Sequence, residues 1–149
     1  VSIKLTLIGY GALYSWLWWY AYTYYAFSPE SVEFVVKPEK DELVRWYTYA
    51  DVFVSPSPEA QGLVFAEAMA GGTPVIACTG SGADDIVQHG CNGFLADTSY
   101  DLSRYVQYLY DNPDVLTYTQ VRAQATSRLY HPYVRISQLV SVYKKGIAL

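Results

Sequence analysis

Charge is what this chain has least of. Only 16% of its 149 residues are Asp, Glu, Lys or Arg, against about a quarter in an average soluble protein. The net charge is −4, so a phosphate backbone finds no cationic track and a nucleic-acid partner is not expected. Two cysteines are too few for a disulfide scaffold, and Cys78 falls in an apolar stretch that reads as a buried thiol. The two histidines, His89 and His131, are far apart and lack metal-ligand spacing, so no metal is expected. Residues 5–29 carry no charge, yet Gly9, Gly11 and Pro29 interrupt them and about half of the second part is Tyr or Trp. Those side chains prefer an interface to a hydrocarbon interior, so neither a span nor a membrane partner is expected. Residues 1–8 read as a strand rather than a leader, and the expected location is the cytoplasm. Tyrosine is in excess, 16 residues against five lysines. An A- and T-rich genome would raise lysine and asparagine as well, so the excess reads as replacement of surface residues by design or selection.

The chain is long enough for one domain with its own core, and a single domain over 1–149 is expected. Short apolar runs alternate with helical patterns. Strands are expected at 1–8, 32–36, 52–55, 75–78 and 94–96. Helices are expected at 12–27, 41–50, 62–70, 83–89, 100–110, 114–128 and 132–145, the last within a covering segment, 128–149. The pattern predicts an α/β, three-layer, Rossmann-like fold: a five-stranded parallel sheet in the flavodoxin-like order 2-1-3-4-5, with carboxyl-terminal helices. Ligands bind such sheets beyond the carboxyl ends of the strands. The relevant loops are 9–11, 55–61 and 79–83. Ser55, Ser57 and Ser81 lack a nucleophile-elbow context, and Asp84-Asp85 reads as a solvated helix start.

The most informative run is Glu59-Ala-Gln-Gly-Leu-Val-Phe-Ala-Glu67, followed by Ala-Met-Ala-Gly-Gly-Thr-Pro74-Val-Ile-Ala. Two carboxylates lie eight positions apart across a glycine that opens a helix. This resembles the Glu-x7-Glu signature of retaining glycosyltransferases of the two-domain GT-B type. Leu7-Ile-Gly-Tyr-Gly11, Val32-Glu-Phe34, Ala50-Asp-Val-Phe-Val-Ser-Pro-Ser57, Gly80-Ser-Gly82 and Gly90-Cys-Asn-Gly-Phe-Leu95 occur in the same order as in the donor-binding half of that family. The resemblance extends over residues 1 to about 127.

The resemblance implies roles. Glu59 would hold hydroxyls of the donor sugar, and Glu67 would accept hydrogen bonds from the ribose. The amides of Gln61, Gly62 and Leu63 would face the pyrophosphate at a helix amino end. Gly9 and Gly11 would let the backbone approach the ligand, and Gly80 and Gly82 would line the other side. The family's donor half also carries an Arg and a Lys in a strand–helix unit that would precede residue 1. Only Lys4 precedes Lys37 here, and uncompensated charge on a leaving diphosphate costs several kcal/mol. No cofactor requirement is expected, only residual binding of UDP- or GDP-sugars.

The helix expected at 12–27 is aromatic on more sides than one core can bury. A core stripe can be read as Leu13, Leu17, Tyr20, Tyr24 and Phe27. That leaves Tyr14, Trp16, Trp18, Trp19, Tyr22 and Tyr25 for an interface, since a soluble monomer seldom exposes so large an apolar patch. The reading placed first is a non-catalytic, engineered module that binds another protein or itself through this helix. The alternative is the nucleotide-sugar-binding part of a retaining glycosyltransferase that acts with a separate acceptor domain.

Overall fold

The computed structural model describes residues 3–57, 62–80 and 82–147. The chain divides into two compact units, Val1–Leu43 and Val44–Leu149.

In the first unit β1 (Leu5–Ile8) pairs in parallel with β2 (Val32–Val35), with Leu5 opposite Val32 and Ile8 opposite Val35. The ladder continues at both ends. The Leu5 N–H donates to the Ser31 carbonyl at 2.9 Å, and the Gly9 N–H to the Val35 carbonyl at 3.0 Å. The connection between the strands departs from the expected single helix. Its α-helical part, α1, covers only Tyr14–Trp19, and a π-helical turn follows at Tyr20–Tyr24. The Tyr25 N–H reaches back five residues to the Tyr20 carbonyl at 3.0 Å, and Ala26, at φ 52°, ends the run.

The wider turn rotates the side chains away from a 3.6-residue period. The stripe expected in the core is corrected: Tyr24 and Phe27 are exposed, and so are Leu13 and Leu17, which precede the wide turn. Ala21 is buried instead. Tyr14 and Tyr22 place their rings 5.8 and 5.7 Å from Phe34 of β2, and the Tyr22 hydroxyl donates to the Val32 carbonyl at 2.6 Å.

After α2 (Lys40–Tyr49), the second unit builds a parallel sheet from β3 (Phe53–Ser55), β4 (Val75–Cys78) and β5 (Gly93–Ala96), with β4 central. Val75, Ile76 and Ala77 of β4 have no exposed surface, as expected for a strand covered on both faces. Alternation sends Ile76, with Phe94 and Ala96, to one face, where Leu102 and Leu109 of α4 (Ser99–Asp111) complete a core cluster. Phe53 points to the other face and meets Phe65 of α3 (Leu63–Ala70) at 6.3 Å between ring centroids. Strand spacing leaves no room for a side chain at Gly93, where a Cβ would strike the Val75 carbonyl. Residues Thr98 and Asp101 cap α4 reciprocally, each side chain bonding the other's backbone N–H at 3.1 Å. Then α5 (Pro113–Ser127) packs against α3.

Five parallel strands in an α/β fold are as expected, but they form two sheets, β2-β1 and β3-β4-β5. Neighbours within each follow the expected order. Two further expectations are corrected. No helix runs over residues 83–89: turns occupy 83–86, and His89 forms an isolated bridge to Gly93. The cause is the fully buried Asn92, whose side chain accepts from the Gln88 N–H at 2.7 Å and donates to the Ile86 carbonyl at 3.0 Å and the Thr126 hydroxyl at 3.0 Å. These bonds capture backbone groups that a helix would need. The last helix, α6 (Pro132–Ile147), does not act as a cover. Tyr133, Ile136, Leu139, Val140, Val142 and Tyr143 are all exposed, and the helix meets the rest of its unit chiefly at the 3-10 turn Arg128–Tyr130.

Candidate functional site

In the second unit, the loops beyond the carboxyl ends of β3 and β4 come together around the amino end of α3. The end of β3 is tied down by local bonds. The nearly buried Ser55 hydroxyl donates to the Ser57 carbonyl at 3.2 Å, and the Cys78 thiol to the Pro56 carbonyl at 3.3 Å. Beyond β4 the Thr79 hydroxyl donates to Asp97 at 2.8 Å, and the Gly80 N–H to the Asp84 carboxylate at 2.8 Å.

Gly62 stands immediately before α3 in the left-handed region, at φ 65°. A Cβ there would lie 2.9 Å from the Gly82 carbonyl oxygen and 2.8 Å from Ile86 Cδ1. Two backbones therefore touch where only glycine permits it. Among the described residues no side chain caps α3, and its first amides, including Leu63 and Val64, lie at the positive end of the helix dipole. Such an end attracts an anion.

The structure thus places Gly62, Leu63 and Gly82 together, with Gly80 in the same loop as Gly82. Glu67 lies on α3 one turn beyond Leu63. Both are exposed, while Phe65, Ala68 and Met69 turn inward; positions four apart share a helix face. Glu59 and Gln61 lie outside the described residues. Asp84, read as a solvated helix start, instead holds the Gly80 amide. Its signal in the sequence was a carboxylate four residues after a glycine. Among the described residues no group of three or more His, Cys, Asp or Glu side chains could hold a metal, and no helix is long and apolar enough to cross a membrane.

Gly9 and Gly11 belong to the first unit, where they line a cavity of about 410 Å³ at the carboxyl end of β1, with Leu7, Tyr14, Leu17 and Phe34 among its walls. Tyr10, between the two glycines, was not singled out in the sequence; the Gly-Tyr-Gly pattern at a strand end was its signal. Of the expected interface residues, Trp16, Trp18, Trp19 and Tyr25 are about half exposed, whereas Tyr14 and Tyr22 turn toward Phe34. Trp16, Tyr20 and Tyr24 form a stacked ladder, with centroids 4.8 and 5.0 Å apart and planes inclined by 15° and 2°. A hydrogen bond with the Tyr25 hydroxyl, 3.4 Å away, raises the Tyr20 phenol above its ordinary ionisation range.

The sequence pattern of the family described as "Glycosyl transferases group 1" matches residues 2–112. A relative named D-inositol 3-phosphate glycosyltransferase 1, from Catenulispora acidiphila, is 34% identical over 110 residues, covering 71% of this chain and 26% of that protein. The chain thus spans about a quarter of that relative's length. Anabaena HepE, crystallised in complex with UDP-glucose, superposes with a TM-score of 0.79 at 24% identity, over 96% of this chain and 41% of that one. The carboxyl-terminal domain of LpcC, a group 1 family glycosyl transferase from Francisella tularensis, superposes with a TM-score of 0.60 at 17% identity, over 89% of this chain and 88% of that one.

The contact at Gly62 predicts unequal costs at two glycines of similar φ. Gly80, at φ 72°, has nothing within 4 Å of a built Cβ, so Gly80→Ala is expected to lose about 1 kcal/mol of unfolding free energy from backbone strain alone. Gly62→Ala adds a collision with the Gly82 carbonyl and is expected to lose about 2–3 kcal/mol. Urea denaturation of the two variants measures both, and equal losses would contradict the close approach.

Proposed function

We propose that this chain, which belongs to the group 1 glycosyl transferases, forms the donor-binding part of a retaining glycosyltransferase that acts with an acceptor-binding part. The observation that carries this reading is the uncapped amino end of α3 facing the Gly80–Gly82 loop, with an exposed carboxylate one turn along the same helix face. The donor is a sugar joined to a nucleoside diphosphate. Its diphosphate lies at the Leu63 and Val64 amides, where unpaired N–H groups and the helix dipole favour negative charge. Glu67 accepts hydrogen bonds from the ribose hydroxyls. As the glycosidic bond breaks, charge grows on the departing diphosphate, and donors already aimed at it lower the barrier without reorganising. The family membership and the UDP-glucose complex of Anabaena HepE support this reading over a purely protein-binding role.

Titration calorimetry with UDP-glucose and GDP-sugars tests it. One of these donors is expected to bind at micromolar to millimolar concentration. Glu67→Ala is expected to weaken that binding about tenfold, the loss of about 1.4 kcal/mol that charge-assisted hydrogen bonds supply. Retained affinity in the variant, or no binding by the parent chain, contradicts the reading.

A second reading is favoured by one observation, the exposure of Trp16 and Trp19 beside the Tyr20–Tyr24 ladder. It assigns this aromatic face to self-association, since Trp and Tyr concentrate binding energy at interfaces. Light scattering is expected to give a dimer or larger species for the parent chain and a monomer for Trp16→Lys combined with Trp19→Glu. A parent chain that is already monomeric contradicts it.

A further inference from the structure

The loop beyond β4 carries a carboxylate that neither reading above uses. The Gly80 N–H donates to Asp84 at 2.8 Å, so an amide of the glycine loop is already bound by an anion of the chain itself. Asp84 is exposed, but its backbone is held. Ala83 before it and Ile86 after it are buried, and the Ile86 and Val87 N–H groups donate to the Ala83 carbonyl at 3.0 and 2.7 Å. The other end of the loop is fixed as well. The Thr79 N–H donates to the Ala96 carbonyl at 3.0 Å, and the Thr79 hydroxyl to Asp97 at 2.8 Å. Between these anchors the Gly82 carbonyl meets the amino end of α3 at Gly62. A negative charge is thus fixed in the same loop that the proposed function sets against a diphosphate.

No cation of this segment offsets that charge. Among the described residues the ion pairs join Lys4 to Glu33 and Arg104 to Asp101, and neither involves Asp84. Residues 46–103, which include β3, α3, β4 and β5, contain no lysine or arginine, while Asp85 and Asp97 add carboxylates of their own. An anion at α3 is therefore held by backbone dipoles against a background of its own sign. The dipoles attract it, and every further charge it carries is repelled by Asp84.

The charge on the ligand changes during sugar transfer. In a nucleoside diphosphate sugar each phosphoryl group carries a single negative charge. When the bond from the sugar carbon to the terminal phosphate oxygen breaks, its electron pair stays on that oxygen. The glycosyl group bonds to the oxygen of an acceptor hydroxyl, whose proton is released. The nucleoside diphosphate left behind has a terminal phosphate that is a dianion above about pH 6. We infer that Asp84 is a specificity-determining residue of the donor site: its charge favours the nucleoside diphosphate sugar over the spent nucleoside diphosphate. The residue thereby assists the exchange of product for fresh donor, and product release is a step that limits many enzymes.

The inference rests on the donor reading above, and its test separates the two. Calorimetry at about pH 8, where the terminal phosphate is a dianion, compares UDP-glucose with UDP and GDP-glucose with GDP on the whole chain. The pair that binds is carried to the variants. Asp84→Asn keeps an acceptor oxygen for the Gly80 amide and removes the charge. It is expected to tighten the free diphosphate about threefold more than the sugar, the factor one further unit charge contributes near solvent. Asp84→Ala removes charge and anchor together and is expected to move the ratio by the same factor. The change should fade in 1 M salt, where the screening length falls to about 3 Å. A residue that serves only as an anchor would leave Asp84→Asn equal to the parent and alter Asp84→Ala alone. That result overturns the inference and leaves the donor reading standing, as does a ratio moved toward the sugar. A parent chain that binds none of the four nucleotides overturns the donor reading itself, and the inference with it.

Discussion

The contact between Gly62 and Gly82 is the constraint on which the candidate site depends. A left-handed residue with no side chain lets the chain enter α3 while the Gly82 carbonyl passes within van der Waals range. Any Cβ would separate the two loops and pull the amino end of the helix away from its neighbour. Gly62 itself offers α3 no capping side chain; a Ser or Asp at that position would bond the first amides internally and compete with an anion for them.

The sheet in the second unit makes this possible. Its central strand, Val75–Cys78, is covered on both faces, and its neighbours fix the level at which the loops leave. Bonds from Ser55, Cys78 and Thr79 hold the departing backbone close to the strand ends. On the far side, Asn92 ties Gln88, Ile86 and Thr126 into one buried network. It converts an expected helix into turns and so shapes the segment that carries Gly82 and Ile86.

Much of this was legible in the sequence, and the exceptions have physical causes. The strands announced themselves as short apolar runs such as Val75-Ile-Ala-Cys78, and α4 through the Thr98-x-x-Asp101 box, because those signals are local. Gly62 of the Glu59–Ala77 run marked the site because it removes a side chain from a crowded place. Residues 83–89 misled because the competing partner, Asn92, acts through its side chain from outside the segment. The aromatic helix departs from a 3.6-residue period through Tyr20–Tyr24, where the turn is wider. Nothing in a run of tyrosines signals that change of pitch. The approach of Lys37 to Tyr10 was invisible for another reason: it joins the turns that follow two different strands, and the left-handed backbone of a lysine carries no compositional mark. The helix α6 is plainly amphipathic in sequence, but amphipathicity says only that one face seeks cover, not that its own unit provides it.

In the proposed function, the amino end of α3 and the glycine loop facing it receive the diphosphate of a nucleotide sugar. Backbone amide shifts recorded while UDP-glucose is added test it most directly. The largest changes are expected to fall on Gly62, Leu63, Val64, Gly80 and Gly82, with α6 unmoved. Changes that leave these amides in place while the donor binds elsewhere would contradict it.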